Sequence, residues 1–186
     1  MTSDAIAGQA GTALPPGSTL VIPAAEVDAA LDRIARDVTQ DLAGTRPVAM
    51  AIMNGGLVFA GQLLTRLPFT LECDYIHVRR YGRLTVGGEL EWIAGPHVEV
   101  KGRTVLLLDD ILDEGRTLAV VKEALLARGA AEIRIAAFAR KERGEPPAIE
   151  ADYVGVTVPD RFVFGFGMDV DGACRNLPAI YALPAG

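Results

Sequence analysis

The chain has 186 residues, of which 50% are hydrophobic, 23% charged and 6% aromatic, the proportions and size of one globular domain with one core. With 18 Lys and Arg against 24 Asp and Glu the formal charge is −6, and no basic stripe of the kind that holds a phosphate backbone is present, so nucleic acid is not an expected partner. Membrane association is not expected either, since no run of about 18 apolar residues occurs and the opening MTSDAIAGQAGTALPPGS has neither the cations nor the apolar stretch of a signal peptide.

In chain order, residues 1–17 read as a flexible tail of small residues, with one domain over 18–186. Val27, Leu31, Ile34, Val38 and Leu42 recur at helical spacing between Pro23 and Gly44, which predicts an amphipathic helix. PVAMAIM (47–53) is an apolar strand, Asn54-Gly55-Gly56 a turn, and LVFAGQLLTR (57–66) a second helix. FTLECDYIHVRRY (69–81) is rich in β formers, and the polar, glycine-punctuated RLTVGGELEWIAGP after it ought to be mobile. TVLLLDD and IRIAAFAR (133–140) are buried strands on either side of a helix, LAVVKEALLAR, closed by Gly129, and shorter strands are expected in ADYVGVTV, FVFGFG and AIYAL. Helices alternating with continuously apolar strands predict an α/β fold: a central, mostly parallel β-sheet flanked by helices. Cys73 and Cys174 stand far apart, without zinc-site spacing, and make a poor disulfide framework, which fits a reducing, cytoplasmic setting.

The most informative stretch is VLLLDDILDEGRTL (105–118), where an apolar run is followed by Asp109, Asp110, Asp113 and Glu114 and then by Gly115, Arg116 and Thr117. If 104–108 is a central parallel strand, Asp109 and Asp110 lie at its carboxyl end, where open α/β sheets bind ligands. The loop feeds a helix beginning near Thr117, whose amides and dipole favour an anion, and Gly115 lets that anion approach. Carboxylates beside an anion cradle suit a ligand with vicinal hydroxyls or a metal next to a phosphate, such as a ribose 5-phosphate. A plainer alternative is that Asp110 and Asp113 cap the helix, but capping needs one Asp.

This stretch resembles, position by position, the phosphoribosyl-pyrophosphate signature of the type I phosphoribosyltransferases, and Asp113 is similar to the acid of the hypoxanthine-guanine branch. The resemblance extends through MNGGLVFAGQLL (53–64), like a pyrophosphate loop, through Lys141, and through PDRFVFGFGMDVDGACRNLPAIYAL (159–183), like a purine hood and C-terminal strand. It implies a small hood subdomain built from both ends of the chain and a purine salvage enzyme, dependent on magnesium (Mg2+), that joins hypoxanthine or guanine to the phosphoribosyl group and releases pyrophosphate. A cytoplasmic homodimer or homotetramer is the accompanying expectation.

Carried over residue by residue, the resemblance implies that Asp109 and Asp110 bind the ribose hydroxyls, directly or through magnesium-bound water. Asp113, Glu114, Gly115, Arg116 and Thr117 would hold the 5-phosphate, with Asp113 also the acid/base at purine N7. Lys141 would donate to the 6-oxo group, Phe162 would stack on the ring, Val163 would pair with its edge through backbone atoms, and Asp169 would bind a second magnesium on the purine side. Asn54, Gly55, Gly56 and Arg175 would handle pyrophosphate, with a cis peptide at Met53-Asn54, and 82–95 would be a lid.

Two positions depart from the family pattern: Asn54 stands where a Lys is frequent, and Arg80-Tyr81 where a Ser-Tyr pair is known. On residue chemistry alone, Phe162 reads as core, Lys141 as a solvated end-of-strand lysine, Arg175 as a surface ion-pair partner and Asp169 as a turn residue. His77 and His97 read as structural, Trp92 as lid or packing and Glu114 as solvent-facing. The competing readings of function are a xanthine-preferring enzyme, a nucleotide-sensing, RNA-binding regulator of the same fold, and a magnesium-binding signalling receiver.

Overall fold

The computed structural model describes residues 14–80 and 90–184. Among them nine strands form two sheets, accompanied by three helices. The larger sheet has the order β4-β3-β2-β5-β6-β7. Its strands are β2 (Val48–Met53), β3 (Glu72–Arg80), β4 (Leu90–Ala94), β5 (Thr104–Leu112), β6 (Glu132–Lys141) and β7 (Tyr153–Val158). All neighbours pair in parallel except β4, which runs antiparallel to β3 on the edge.

Alternate side chains of these strands enter two separate cores, as the two-residue period of a pleated strand requires. Leu106 and Leu108 of β5, with Phe138 of β6, pack with Val27, Leu31, Ile34 and Val38 of α1 (Ala24–Leu42) and Phe59 and Leu63 of α2 (Gly56–Leu64). Val105 and Leu107, with Ile133 and Ile135, pack on the other face with Leu118, Val121 and Leu125 of α3 (Arg116–Ala127). Strands covered on both faces need apolar residues at every position, which is why TVLLL and IRIAAF read as unbroken runs. The helical spacing in 27–42 is realised in α1, with Pro23 as its N-cap.

The second sheet joins the two ends of the chain in the order β1-β9-β8, all antiparallel: β1 (Thr19–Ile22), β9 (Ile180–Ala182) and β8 (Val163–Phe164). Arg161 ties it together, donating to the Leu183 carbonyl and, at 3.3 Å, to Thr19 Oγ1. Residues 1–13 of the expected tail lie outside the described residues, while Ser18 already donates from backbone and hydroxyl to the Pro15 carbonyl.

Two expectations need correction. β5 does not stop at 110, the end of TVLLLDD, but continues to Leu112, because β6 pairs with it as far as Leu112 and Arg140. The segment expected to be a mobile lid includes β4, held to β3 by pairs such as Val78 with Trp92, and Trp92 packs against the second core beneath the Arg128 guanidinium. The remainder of that expectation, with Tyr81, falls outside the described residues.

Candidate active site

The cavity at the carboxyl end of the sheet exists because β2 leaves β5 early. Their pairing ends at Ala51 with Leu108, whereas β5 runs on and displays Asp109 and Asp110 to the space that opens. The loop that fills part of this space turns at a cis peptide between Met53 and Asn54, where the resemblance placed one. Gly55 and Gly56 let it approach β5 to a distance no side chain permits: a Cβ on Gly55 would lie 2.2 Å from Asp110 Oδ2, and one on Gly56 would lie 2.4 Å from the Leu108 carbonyl oxygen.

The resulting cavity, of about 450 Å³, is lined by Gly55, Asp109, Asp110, Asp113, Glu114, Gly115, Thr117, Asp169 and Arg175, together with apolar residues of β2, β3 and β5. Gly115 has φ +73° and is the N-cap of α3. That left-handed conformation, which glycine adopts without steric cost, turns the loop so that the first turn of α3 faces the cavity. First-turn amides have no intrahelical acceptor, and the positive dipole end adds to their pull on an anion. The carboxylates of β5 and the α3 terminus thus face one space.

Charge within the cavity is unevenly held. Burial pushes the Asp110 carboxyl above its ordinary proton affinity, outweighing the opposing effects of Asp109 and of the Arg175 charge. Arg175 Nη2 lies 2.5 Å from Asp169 Oδ1, and its Nη1 donates at 2.5 Å to the Gly167 carbonyl. Asp169 also makes the turn that its sequence context predicted, since its Oδ2 accepts from the Gly172 amide at 2.8 Å. The same carboxylate thus makes the turn and stands on the cavity wall.

Asp113 lies on the border of a second cavity, about 530 Å³, lined also by Arg140, Lys141, Glu142, Arg143, Pro146 and Thr157. Its Oδ2 accepts from Lys141 Nζ at 3.0 Å and its Oδ1 from Arg143 Nη1. Burial would raise the Asp113 carboxyl, but the hydrogen bonds and charges of Arg143 and Lys141 prevail and hold it below the usual range. Lys141 is therefore no solvated end-of-strand lysine: its side chain is only 13% exposed. Arg143 was not singled out in the sequence, where nothing in KERGEPP signals that the chain folds back on a residue 30 positions earlier.

The hood supplies the remaining expected residues. Phe162 is 55% exposed, while Val163, Phe164 and Phe166 are buried, so Phe162 is not core. Val163 pairs with Ala182, and the neighbouring Leu183 amide donates to the Phe162 carbonyl. In antiparallel geometry that makes Val163 and Ala182 a non-hydrogen-bonded pair, and the backbone N–H and C=O of Val163 point away from β9, toward the outer edge of the hood sheet. Asn54 is exposed, and neither it nor Gly56 lines the first cavity. Arg116 does not line the cavity but pairs with Glu114 at 3.3 Å, and Glu114 lines it instead of facing only solvent.

The His97 Nδ1 lies 3.4 Å from Asp74 Oδ1, and Asp74 also accepts the amides of Tyr75, His97 and Val98.

A mostly parallel sheet with paired acids at a strand end, a glycine-opened loop opposite and the N-terminus of a helix beside them is the crevice at which open α/β folds hold anionic ligands. Residues 23–171 match the phosphoribosyl transferase domain, and the chain belongs to that family. It is 34% identical over 165 residues to a hypoxanthine-guanine phosphoribosyltransferase of Bacillus subtilis, covering 88% of this chain and 92% of that one. It is 36% identical over 156 residues to the bifunctional protein TilS/HprT of Listeria innocua, covering 83% of this chain. The chain spans about a quarter of that relative's length, 24%. A solved structure of a hypoxanthine phosphoribosyltransferase from Staphylococcus aureus superposes with a TM-score of 0.84 at 29% identity, covering 89% of this chain and 91% of that one.

Proposed function

We propose that the chain is a magnesium-dependent purine salvage enzyme that transfers the 5-phosphoribosyl group from phosphoribosyl pyrophosphate to hypoxanthine or guanine, giving IMP or GMP and pyrophosphate. The observation that carries this reading is Asp113, which borders both the carboxylate- and amide-lined cavity and the one containing Lys141. A sugar phosphate in the first and a base beside the second would meet at that carboxylate. The 5-phosphate would rest on the loop 113–117 and the α3 terminus, the ribose hydroxyls on Asp109 and Asp110, and the leaving pyrophosphate between the 54–56 loop and Arg175. Phe162 would stack on the base, while the outward N–H and C=O of Val163 would meet its edge.

The reaction passes through a cation-like sugar, so the residues must hold the leaving group's charge and keep water away. Lys141 favours a base with an acceptor at position 6, and Asp113 takes the N7 proton as N9 bonds to the sugar.

The carboxylates fit magnesium. Among the described residues no group of three potential ligands converges on one point, but magnesium retains waters and is held by one or two carboxylates together with substrate phosphates, not by an all-protein cage. Asp109, Asp110 and Asp169 are hard oxygen donors on the wall of one cavity. The ion would supply charge neutralisation to the pyrophosphate. A cytoplasmic homodimer or homotetramer completes the reading, with free Cys73 and Cys174 supporting a reducing setting.

The test is to incubate the protein with phosphoribosyl pyrophosphate, hypoxanthine and magnesium, and to quantify IMP and pyrophosphate. Equal yields of the two products, lost on omission of the base or chelation of the metal, are expected. Pyrophosphate without nucleotide, or no turnover together with salt-dependent RNA binding, would contradict the reading.

A further inference from the structure

Asp113 is gripped at both oxygens, by Lys141 Nζ on Oδ2 at 3.0 Å and by Arg143 Nη1 on Oδ1. A carboxylate between two cations is a poor proton acceptor, since each cation favours the ionised form. If Asp113 is to take a proton from N7 of the base, one cation must loosen. On a 6-oxopurine the oxygen at C6 lies beside N7, so a lysine moving from Oδ2 to that oxygen gains an acceptor and clears Oδ2 in one displacement. Nothing comparable draws Arg143 away. It projects from the loop after β6, its side chain 34% exposed, and the negative charges of Asp160 and Glu114 act on it along with that of Asp113.

We propose that Arg143 is a positioning residue that keeps hold of Asp113 Oδ1 through turnover, while Lys141 is the cation that leaves Oδ2 for the base. This rests on the phosphoribosyl-transfer reading and adds a division of labour between the two cations. In the step itself the N9 electron pair bonds to C1′ of the sugar, the C1′–O bond breaks with its pair going to pyrophosphate, and the N7 proton passes to Oδ2. Arg143 orients the receiving oxygen without touching the base. The other charged groups around Asp113 are Glu114 on its own loop, Asp109, Asp110, Asp169 and Arg175 on the walls of the first cavity, and Arg140, Glu142 and Glu145 on those of the second.

The experiment is steady-state kinetics with hypoxanthine across pH for the parent, Arg143→Gln, Arg143→Lys and Lys141→Ala, with thermal melts to verify folding. Removing the guanidinium is expected to lower kcat about tenfold, less than the roughly 100-fold to 10,000-fold that a positioned acid/base itself contributes, because Asp113 remains in place. The Michaelis constants for hypoxanthine and phosphoribosyl pyrophosphate should stay near those of the parent. The acid limb of kcat should move to higher pH, because Asp113 loses a cation that favours its ionised form. Arg143→Lys, which keeps the charge, should recover most of the rate, and Lys141→Ala should instead raise the Michaelis constant for hypoxanthine. An active parent whose Arg143→Gln variant keeps both kcat and acid limb overturns the proposal alone, as does a variant altered only in its Michaelis constant for hypoxanthine. A parent that transfers nothing overturns the underlying reading and this proposal with it.

Discussion

Replacing Gly55 by Ala tests how far the site depends on the approach of the 54–56 loop to β5. The added methyl would sit 2.2 Å from Asp110 Oδ2 and 2.5 Å from its Cγ, whereas non-bonded heavy atoms settle at about 3.5 to 4 Å. Loop or carboxyl must therefore move by about 1 Å, and a displacement of that size in a positioning group costs about 100-fold in rate. Asp110 has little room to retreat, because its backbone is fixed in β5 and a Cβ on Gly167 would lie only 3.2 Å from its own Cβ. Overpacking of this kind costs about 1 to 3 kcal/mol, which for a domain of this size lowers Tm by about 2 to 4 °C per kcal/mol. Catalytic efficiency and thermal melts should be measured together, with Gly61→Ala as a control. Gly61 lies within α2, and an added Cβ there meets nothing within 4 Å, so activity should be unchanged and stability equal or greater. A Gly55→Ala enzyme with the parent's efficiency would refute the argument that this contact shapes the site.

Asp113→Asn should lower kcat by about 100-fold to 10,000-fold while binding of phosphoribosyl pyrophosphate, measured by calorimetry, survives; near-normal turnover would reduce Asp113 to a loop residue. Phe162→Ala should raise the Michaelis constant for hypoxanthine about tenfold, as loss of a stacked aromatic does, yet leave the melt nearly unchanged because the ring is exposed; a large drop in Tm would place it in the core after all. Asp74→Ala should cost about 2 kcal/mol at neutral pH, since three amides lose their acceptor. Burial would raise the Asp74 carboxyl, but those amides and His97 hold it below its ordinary value of 3.8. Its contribution is therefore fully present above that pH and disappears as pH falls through the lower folded value. Denaturant melts of the two proteins should converge in that acid range, and a difference that persisted there would contradict the assignment.

Much of the site was legible because its chemistry sits in one local stretch. Asp109, Asp110, Gly115 and Thr117 line one cavity because a strand end and a helix start are consecutive in sequence. The core was legible for a related reason, since α1 buries the same apolar side chains whose spacing predicted it. Contacts that close over longer separations were not legible. Arg143 reaches Asp113 only through the return of the chain after β6, and its sequence context is that of an ordinary polar loop. β5 ran past the expected end because Ile111 and Leu112 follow two acids and look like the start of a loop, whereas parallel pairing with β6 keeps them extended. β4 went unrecognised because glycine and polarity upstream masked a short edge strand whose pairing with β3, not its composition, defines it.

The central claim concerns which base is joined to the sugar, and Lys141 makes it testable in one measurement. An ammonium rewards the acceptor at position 6 of hypoxanthine and guanine and is left without a partner by adenine, a mismatch that can discriminate by up to about 10,000-fold. Catalytic efficiencies for hypoxanthine, guanine, xanthine and adenine, each with phosphoribosyl pyrophosphate and magnesium, should be compared in the parent and in Lys141→Ala. The expected result is use of hypoxanthine and guanine, rejection of adenine, and a narrowed ratio between 6-oxopurine and adenine in the variant. Efficient use of adenine by the parent, a marked preference for xanthine over both other 6-oxopurines, or an unchanged ratio in the variant would contradict it.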